Sequence, residues 1–106
     1  MELKIKDRML ILAVLPKEGD IASLRILRDL KKDLSFSEEE YKEFQFKINS
    51  QGSYTWIEPN DQPFVKEISI GDKAKDLISE SLKELNSRKK LGFDYIDLYE
   101  SFIGVE

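Results

Sequence analysis

FQFKINSQGSYTWIEPNDQPFVKEISI, residues 44–70, is the stretch of sequence that decides the fold. Phe44, Phe46 and Ile48 alternate with polar residues, and residues 50–53 then form a turn that contains a glycine. Residues 54–57 and 64–70 continue the pattern on the far side of this turn. Period-two alternation in aromatic and β-branched runs that are separated by Gly and Pro is typical of half-buried antiparallel strands. The stretch therefore predicts a central antiparallel β-ribbon of two or three strands.

Tyr54 and Trp56 are two residues apart, so they lie on the same face of this ribbon. Large aromatic side chains bring much buried area, and the pair can therefore cover the core. Tyr and Trp are also over-represented among the anchors of protein interfaces. The two residues are our candidate contacts with a protein partner, and both interpretations stay open at the level of sequence.

Residues 58–61 carry Glu58, Asn60 and Asp61, which are oxygen donors of the kind that bind cations. They lack the regular ligand spacing of a calcium loop. Pro59 suits the second position of a type I turn. We therefore predict a turn here and no metal site.

The residue inventory argues against an enzyme. The chain has 106 residues, enough for one domain over residues 1–106, and its 41% hydrophobic content is that of a globular protein. Cys and His are both absent, which removes disulfides, Cys-based sites and the side chain whose pKa lies nearest neutrality. Phosphate loops and nucleophile elbows are also missing from the sequence. We predict no catalytic residues and no cofactor, although carboxylates and lysines alone can support some catalysis.

The charge is distributed unevenly. The net charge is −4, with +2 in residues 1–34 and −6 in residues 35–106. Non-specific binding to nucleic acid depends on clustered Lys and Arg, so this balance disfavours it without excluding a local basic face.

The most apolar run is residues 9–15, which are too few to span a bilayer. Asp7 in the flank and Pro16 after the run do not fit a secretion signal. We predict a buried first helix that is capped by Asp7 and ends before Pro16, in a cytoplasmic protein that does not enter a membrane. A buried strand is the alternative, because periodicity does not distinguish the two in so short a run.

Residues 21–34 predict an amphipathic second helix with Asp20 as its N-cap. Its apolar stripe consists of Leu24, Leu27, Leu30 and Leu34. Arg25, Arg28 and Lys32 fall on the opposite face. Such a charged face usually serves solubility, here with Asp29 and Asp33 as partners. The alternative is a contact with nucleic acid or with an acidic partner.

Ser37 to Glu40 form a predicted capping box that opens a short third helix, with Tyr41 and Phe44 directed inward. The longest helix is predicted to start at Gly71-Asp72 and to stop at Gly92 as its C′ residue.

The stripe of this long helix is Ala74, Leu77, Ile78, Leu82 and Leu85. Arg88, Lys89 and Lys90 compensate the helix dipole at its end or, in the alternative interpretation, bind phosphate.

A last helix is predicted after Asp94, which would be its N-cap. Phe93 and Leu98 then occupy the positions of a hydrophobic staple. This helix either docks on the domain or is shared with a second subunit.

Three helices, a ribbon and two further helices make an α+β fold with the element order of a winged-helix domain. The third helix, where a recognition helix would lie, carries four glutamates that would repel phosphates. The stretches DRMLILAVLPKEGDIASLRILRDLKKDLSFSEEE and EISIGDKAKDLISESLKELNSRKKL together with FDYIDLYESFI resemble small proteins encoded by bacteriophages and prophages. This resemblance implies a bacterial cytoplasm and brings no functional residues.

The resulting hypothesis is a small interaction module that binds a protein partner or self-associates. A winged-helix regulator that binds DNA through Arg25, Arg28 and Lys32 is the alternative.

Overall fold

The computed structural model describes residues 1–58 and 63–104. The helices in this part of the chain are α1 (Ile5–Val14), α2 (Ile21–Leu34), α3 (Glu38–Phe44), α4 (Asp72–Ser87) and α5 (Ile96–Phe102). The strands are β1 (Glu2–Lys4), β2 (Lys47–Ile48), β3 (Tyr54–Thr55) and β4 (Val65–Glu67). A 3₁₀ turn, Phe93–Tyr95, precedes α5. The fold is α+β as predicted, and the likeness to a winged helix stays a prediction.

The predicted ribbon is divided between two small antiparallel sheets. β2 and β3 form a hairpin in which Ile48 lies opposite Tyr54. β4 does not join them and pairs instead with β1, where Leu3 lies opposite Lys66. Period-two alternation shows that a segment is extended but does not show which segment it pairs with. The turn predicted over residues 58–61 lies mostly outside the described residues.

The ribbon also begins later than predicted, because Phe44 is the last residue of α3 and not a strand residue. Gln45 adopts a left-handed conformation with φ 49° and ends the helix. The N–H of Ile57 donates to the carbonyl of Phe44 at 2.8 Å. This bond connects the residues that follow β3 to the last residue of α3.

The first apolar run is a helix, and the strand alternative is wrong. Its N-cap is Lys4, and Asp7 lies in the first turn, where its carboxylate accepts the N–H of Lys4 at 3.1 Å. The predicted cap was therefore misplaced by one turn, because the helix begins at Ile5, whose side chain is buried, and not after Asp7. The helix ends at Val14, as expected from the restriction that Pro16 places on the residue before it.

The core lies between the β1–β4 sheet and the helices α1, α2, α4 and α5. Its buried residues are Leu3, Ile11, Leu30, Leu34, Ile68, Ala74, Ile78, Leu82, Leu98 and Phe102. No helix among the described residues has both the length and the apolar character to cross a membrane.

The predicted caps of α2 and α3 are confirmed. Asp20 accepts the N–H of Ser23 at 2.7 Å, and Ser37 and Glu40 form the reciprocal capping box. In α3, Phe44 is buried as predicted, but the side chain of Tyr41 is exposed, since its ring contacts Phe36 and Phe46 at the edge of the fold and is not enclosed by the core.

The predicted stop of α4 at Gly92 is wrong. The helix ends at Ser87, and Lys89 takes the left-handed conformation with φ 56°. The N–H of Lys89 donates to the carbonyl of Asn86 at 3.0 Å, and that of Lys90 donates to Leu85 at 2.8 Å. These two bonds define a Schellman motif with a lysine at the position that glycine usually occupies.

The predicted hydrophobic staple is also wrong, since the side chain of Phe93 is 92% exposed. The 3₁₀ turn places Asp94 within its own span, so this residue does not cap α5. Its carboxylate instead lies 2.9 Å from Nζ of Lys6. The last helix is docked on the domain through Leu98 and Phe102, which are both buried.

Candidate functional site

A buried arginine joins the first three helices. The side chain of Arg8 on α1 is 0% exposed. Its Nε donates to the carbonyl of Leu34 at 3.1 Å, and its Nη2 donates to the carbonyl of Ser35 at 2.8 Å. The last carbonyls of a helix lack partners within the helix and carry partial negative charge. Arg8 therefore satisfies the C-terminal end of α2 with a cation.

The same guanidinium binds the carboxylate of Glu40 on α3. Nη1 lies 2.7 Å from Oε2 and Nη2 lies 3.3 Å from Oε1, which is a bidentate arrangement. The Arg8 hydrogen bond, together with the N–H of Ser37 at 2.9 Å, holds the pKa of Glu40 at about 2 against an opposing effect of burial. Glu40 thus serves both the capping box of α3 and the fixation of α3 on α1.

An aromatic cluster extends from this ion pair to the hairpin. The guanidinium carbon of Arg8 lies 4.0 Å from the centroid of the Phe36 ring, a cation–π geometry. Phe36 packs on Phe46 with centroids 4.9 Å apart, and Phe46 packs on Trp56 at 6.2 Å. Tyr41 lies 5.5 Å from Phe46, also edge to face. The rings are tilted as aromatic pairs prefer, so the cluster is a well-packed satellite of the core.

One side of this cluster is open to solvent and forms, with α1, an apolar groove of about 330 Å³. We call it the α1–hairpin groove, and its lining residues are Met9, Leu12, Ala13, Phe36, Tyr41, Phe46 and Tyr54. α1 provides one wall, and the aromatic residues of α3, the hairpin and the loop before α3 provide the other. The groove contains no titratable side chain other than the two tyrosines, so its chemistry is that of apolar contact.

The structure brings only one of the two predicted contact residues to this groove. The side chain of Tyr54 is 55% exposed and lines the groove. Trp56 is half-buried behind Phe46, and its indole N–H donates to Glu58 Oε1 at 3.1 Å. Trp56 therefore supports the wall of the groove from inside.

The three cations predicted as an alternative contact are far less organised. Arg25, Arg28 and Lys32 are all exposed on α2, as their spacing implies. Arg28 lies 3.6 Å from Asp29, a loose ion pair on the surface. None of the three lines the α1–hairpin groove.

Sequence reasoning missed the α1 half of the site. Arg8 directly precedes the apolar run and stands three residues from both Ile5 and Ile11, which are buried. That spacing places Arg8 on the buried face of a helix, and it was the available signal. Met9 and Leu12 belong to the run that was predicted to form a buried helix, because seven apolar residues in a row do not indicate which face of the helix is left uncovered.

Within residues 1–58 and 63–104, no group of three or more metal-ligating side chains is placed to hold a metal ion. Comparison of the chain with protein-family models, with curated proteins and with solved structures finds no match. Inferences about its function must therefore start from its own residues.

Proposed function

We propose that this protein is a cytoplasmic interaction module whose α1–hairpin groove binds an apolar segment of a protein partner, with basic residues flanking that segment. The observation that carries the proposal is the groove itself, with Tyr54 exposed at its rim. The predicted origin in a bacteriophage or prophage is compatible with this role and remains part of the proposal.

The apolar character of the proposed occupant follows from α1. A helix at the surface of a globular protein usually carries polar residues on its outer face. On α1, Met9 and Leu12 are partly exposed and Ala13 is exposed. An apolar lining of this kind is typical of grooves that bind a ligand or a partner. Tyr41 and Tyr54 complete the groove with aromatic rings that carry hydroxyl groups, a composition enriched at protein interfaces.

The groove is also held in shape before any partner binds. Arg8 fixes α3 relative to α1 through Glu40, and Phe36 lies directly on the guanidinium. Trp56 and Phe44 pack against Phe46 from inside. A preorganised surface loses less conformational entropy on binding, so a small groove can still give useful affinity.

The charge of the partner follows from α3. Glu40 is engaged by Arg8, which leaves Glu38, Glu39 and Glu43 exposed against the single cation Lys42. Glu38 stands one turn before Tyr41 and therefore shares its side of α3. Lys47 in β2 alternates with Phe46 and points away from the groove face of the hairpin. An acidic rim favours basic flanks on the partner through electrostatic complementarity.

Two labelled amphipathic helical peptides test this proposal. They share one apolar face, and their polar faces carry either lysines or glutamates. In fluorescence anisotropy titrations, the lysine peptide should bind more tightly. Tyr54→Ser should weaken the binding of this peptide by about fivefold to thirtyfold, the effect of losing an anchor of about 1–2 kcal/mol.

The matched control is Phe93→Ser, which also removes an exposed aromatic ring but lies outside the groove. This variant should bind the lysine peptide as the parent chain does. Equal affinity of the parent and of Tyr54→Ser, or tighter binding of the glutamate peptide, would contradict the proposal.

Duplex DNA is the second candidate ligand, and the exposure of Arg25, Arg28 and Lys32 on one face of α2 favours it. The same titration with a duplex oligonucleotide at low salt tests it. Binding that falls steeply with added salt and is lost when the three cations are replaced by glutamine would support this alternative.

A further inference from the structure

Phe93 is placed in an unusual way for a phenylalanine. It begins the 3₁₀ turn between α4 and α5, and its side chain is 92% exposed. Burying such a ring removes about 150–250 Å² of surface from water. Its neighbour Ile96 is exposed as well. The start of α5 therefore presents an apolar projection to solvent.

A groove of about 300 Å³ lies directly beside this projection. It is lined by Asn86, Leu91, Gly92, Phe93, Ile96, Tyr99 and Glu100. Leu91 and Tyr99 are half-buried and form its apolar base. The volume is sufficient for one aromatic ring, but Phe93 lies at the edge of the groove and does not fill it.

We propose that two copies of this chain associate about a two-fold axis, with Phe93 of each copy inserted into this groove of the other. A closed, isologous dimer requires that a single patch carry both a projection and the recess that receives it. Phe93 provides the projection and the adjoining groove provides the recess, so that one patch of the surface carries both.

The charges around the patch are self-complementary. Arg88 is already paired with Glu84 at 2.8 Å, but Lys89 and Lys90 are exposed where the chain leaves α4 toward the groove, whereas Asp97 and Glu100 are exposed on α5. Rotation by 180° brings the basic segment of one copy toward the acidic helix of its partner. Such an arrangement favours the two-fold orientation over others and favours a second copy over a partner of uniform charge.

The expected dimer is weak. Stable interfaces bury about 1,200–2,000 Å² in total, and two exchanged phenylalanines with their surroundings supply less than that. We therefore expect a weak, transient association, to be looked for at chain concentrations from about 10 μM to about 1 mM.

Sedimentation equilibrium of the full chain over this concentration range tests the proposal. The parent chain should show a reversible monomer–dimer equilibrium, and Phe93→Ser should remain a monomer throughout. Because Phe93 is almost fully exposed, this substitution removes no core contact, and circular dichroism should show an unchanged fold. Tyr54→Ser is the control and should dimerise as the parent does, so the outcome is independent of the peptide experiment.

Isotope-filtered NOEs in a mixture of labelled and unlabelled chains provide the second measurement. Contacts between the Phe93 ring of one copy and Leu91 or Ile96 of the other would support the two-fold exchange. A monomer at about 1 mM, an open-ended polymer, or a dimer that persists in Phe93→Ser would overturn the proposal.

Discussion

Arg8→Met is the most informative single substitution for the fold. Methionine is about as long as the apolar stem of arginine and removes every donor. The carbonyls of Leu34 and Ser35 then lose their side-chain partner, and Glu40 loses its counter-charge. Each buried polar group left without a partner costs about 1–3 kcal/mol. Breaking one side of a buried ion pair costs about 3–5 kcal/mol.

These costs do not add in full. The side chain of Glu40 is 12% exposed, so its carboxylate can turn toward water after the substitution. Ser35 is itself exposed, and water can reach its carbonyl. We therefore expect the free energy of unfolding to fall by about 3 kcal/mol, a large part of the total of about 5–15 kcal/mol expected for a domain.

Urea unfolding followed by the fluorescence of Trp56, the single tryptophan of the chain, measures this change. The indole lies in the aromatic cluster that Arg8 supports, so its emission reports on the affected region. Lys6→Met is the matched control, because it removes the same charge from the same helix. Lys6 pairs with Asp94 at the surface, where both side chains are largely exposed. Loss of this ion pair should lower the free energy of unfolding by less than about 1 kcal/mol.

If Arg8→Met lowers the urea midpoint of unfolding no more than Lys6→Met does, Arg8 does not have this role in the fold. The comparison requires that the free energy of unfolding fall with urea concentration at the same slope in each variant. A changed slope would mean a different unfolded or native state. A cost below about 1 kcal/mol would show that water replaces the guanidinium and that the ion pair does not hold the helices together.

Two further predictions concern the helix ends. The pKa of Glu40 in the folded protein is about 2, below its ordinary value of 4.5, so its contribution to stability is present above about pH 4.5 and is lost as the pH falls toward 2. Solvent screening limits this contribution to about 1–2 kcal/mol, and Glu40→Gln should flatten this part of the stability–pH curve from urea titrations. Lys89→Gly should raise the free energy of unfolding by up to about 1 kcal/mol, because glycine adopts the φ of 56° without strain; a thermal midpoint that falls would contradict this.

Local signals in the sequence predicted the local structure well. The Asp20 and Ser37 caps begin α2 and α3 as expected, since each is decided by residues within one turn. The hairpin of β2 and β3 was also found, because its turn and its alternation are adjacent in the chain. The pairing of β1 with β4 joins residues more than 60 positions apart, as in Leu3 with Lys66, and nothing within either segment specifies that partner.

Only the half of the candidate site that depends on local sequence could be predicted. Tyr54 was identified because the ribbon sets which residues share a face, and that periodicity is local. The opposite wall was not, since residues 9–14, which form most of α1, are all apolar and do not show which face stays open. Which of its faces remains open depends on where α2 and α4 pack, and the outward position of Phe93 depends on the 3₁₀ turn rather than on a cap.

The burial of Arg8 links the stability of this protein to its proposed function. An arginine on the buried face of α1 breaks the apolar pattern of that face, but its donors match the free C-terminal carbonyls of α2 and the side-chain carboxylate of Glu40 on α3. The same contacts place Phe36 and Tyr41 at the groove. Substitution of Arg8 would therefore change folding and binding together, whereas Tyr54 and Phe93 lie at the surface and change binding alone. For this reason the test of the fold belongs at Arg8, and the tests of the two surfaces belong at the exposed aromatic residues.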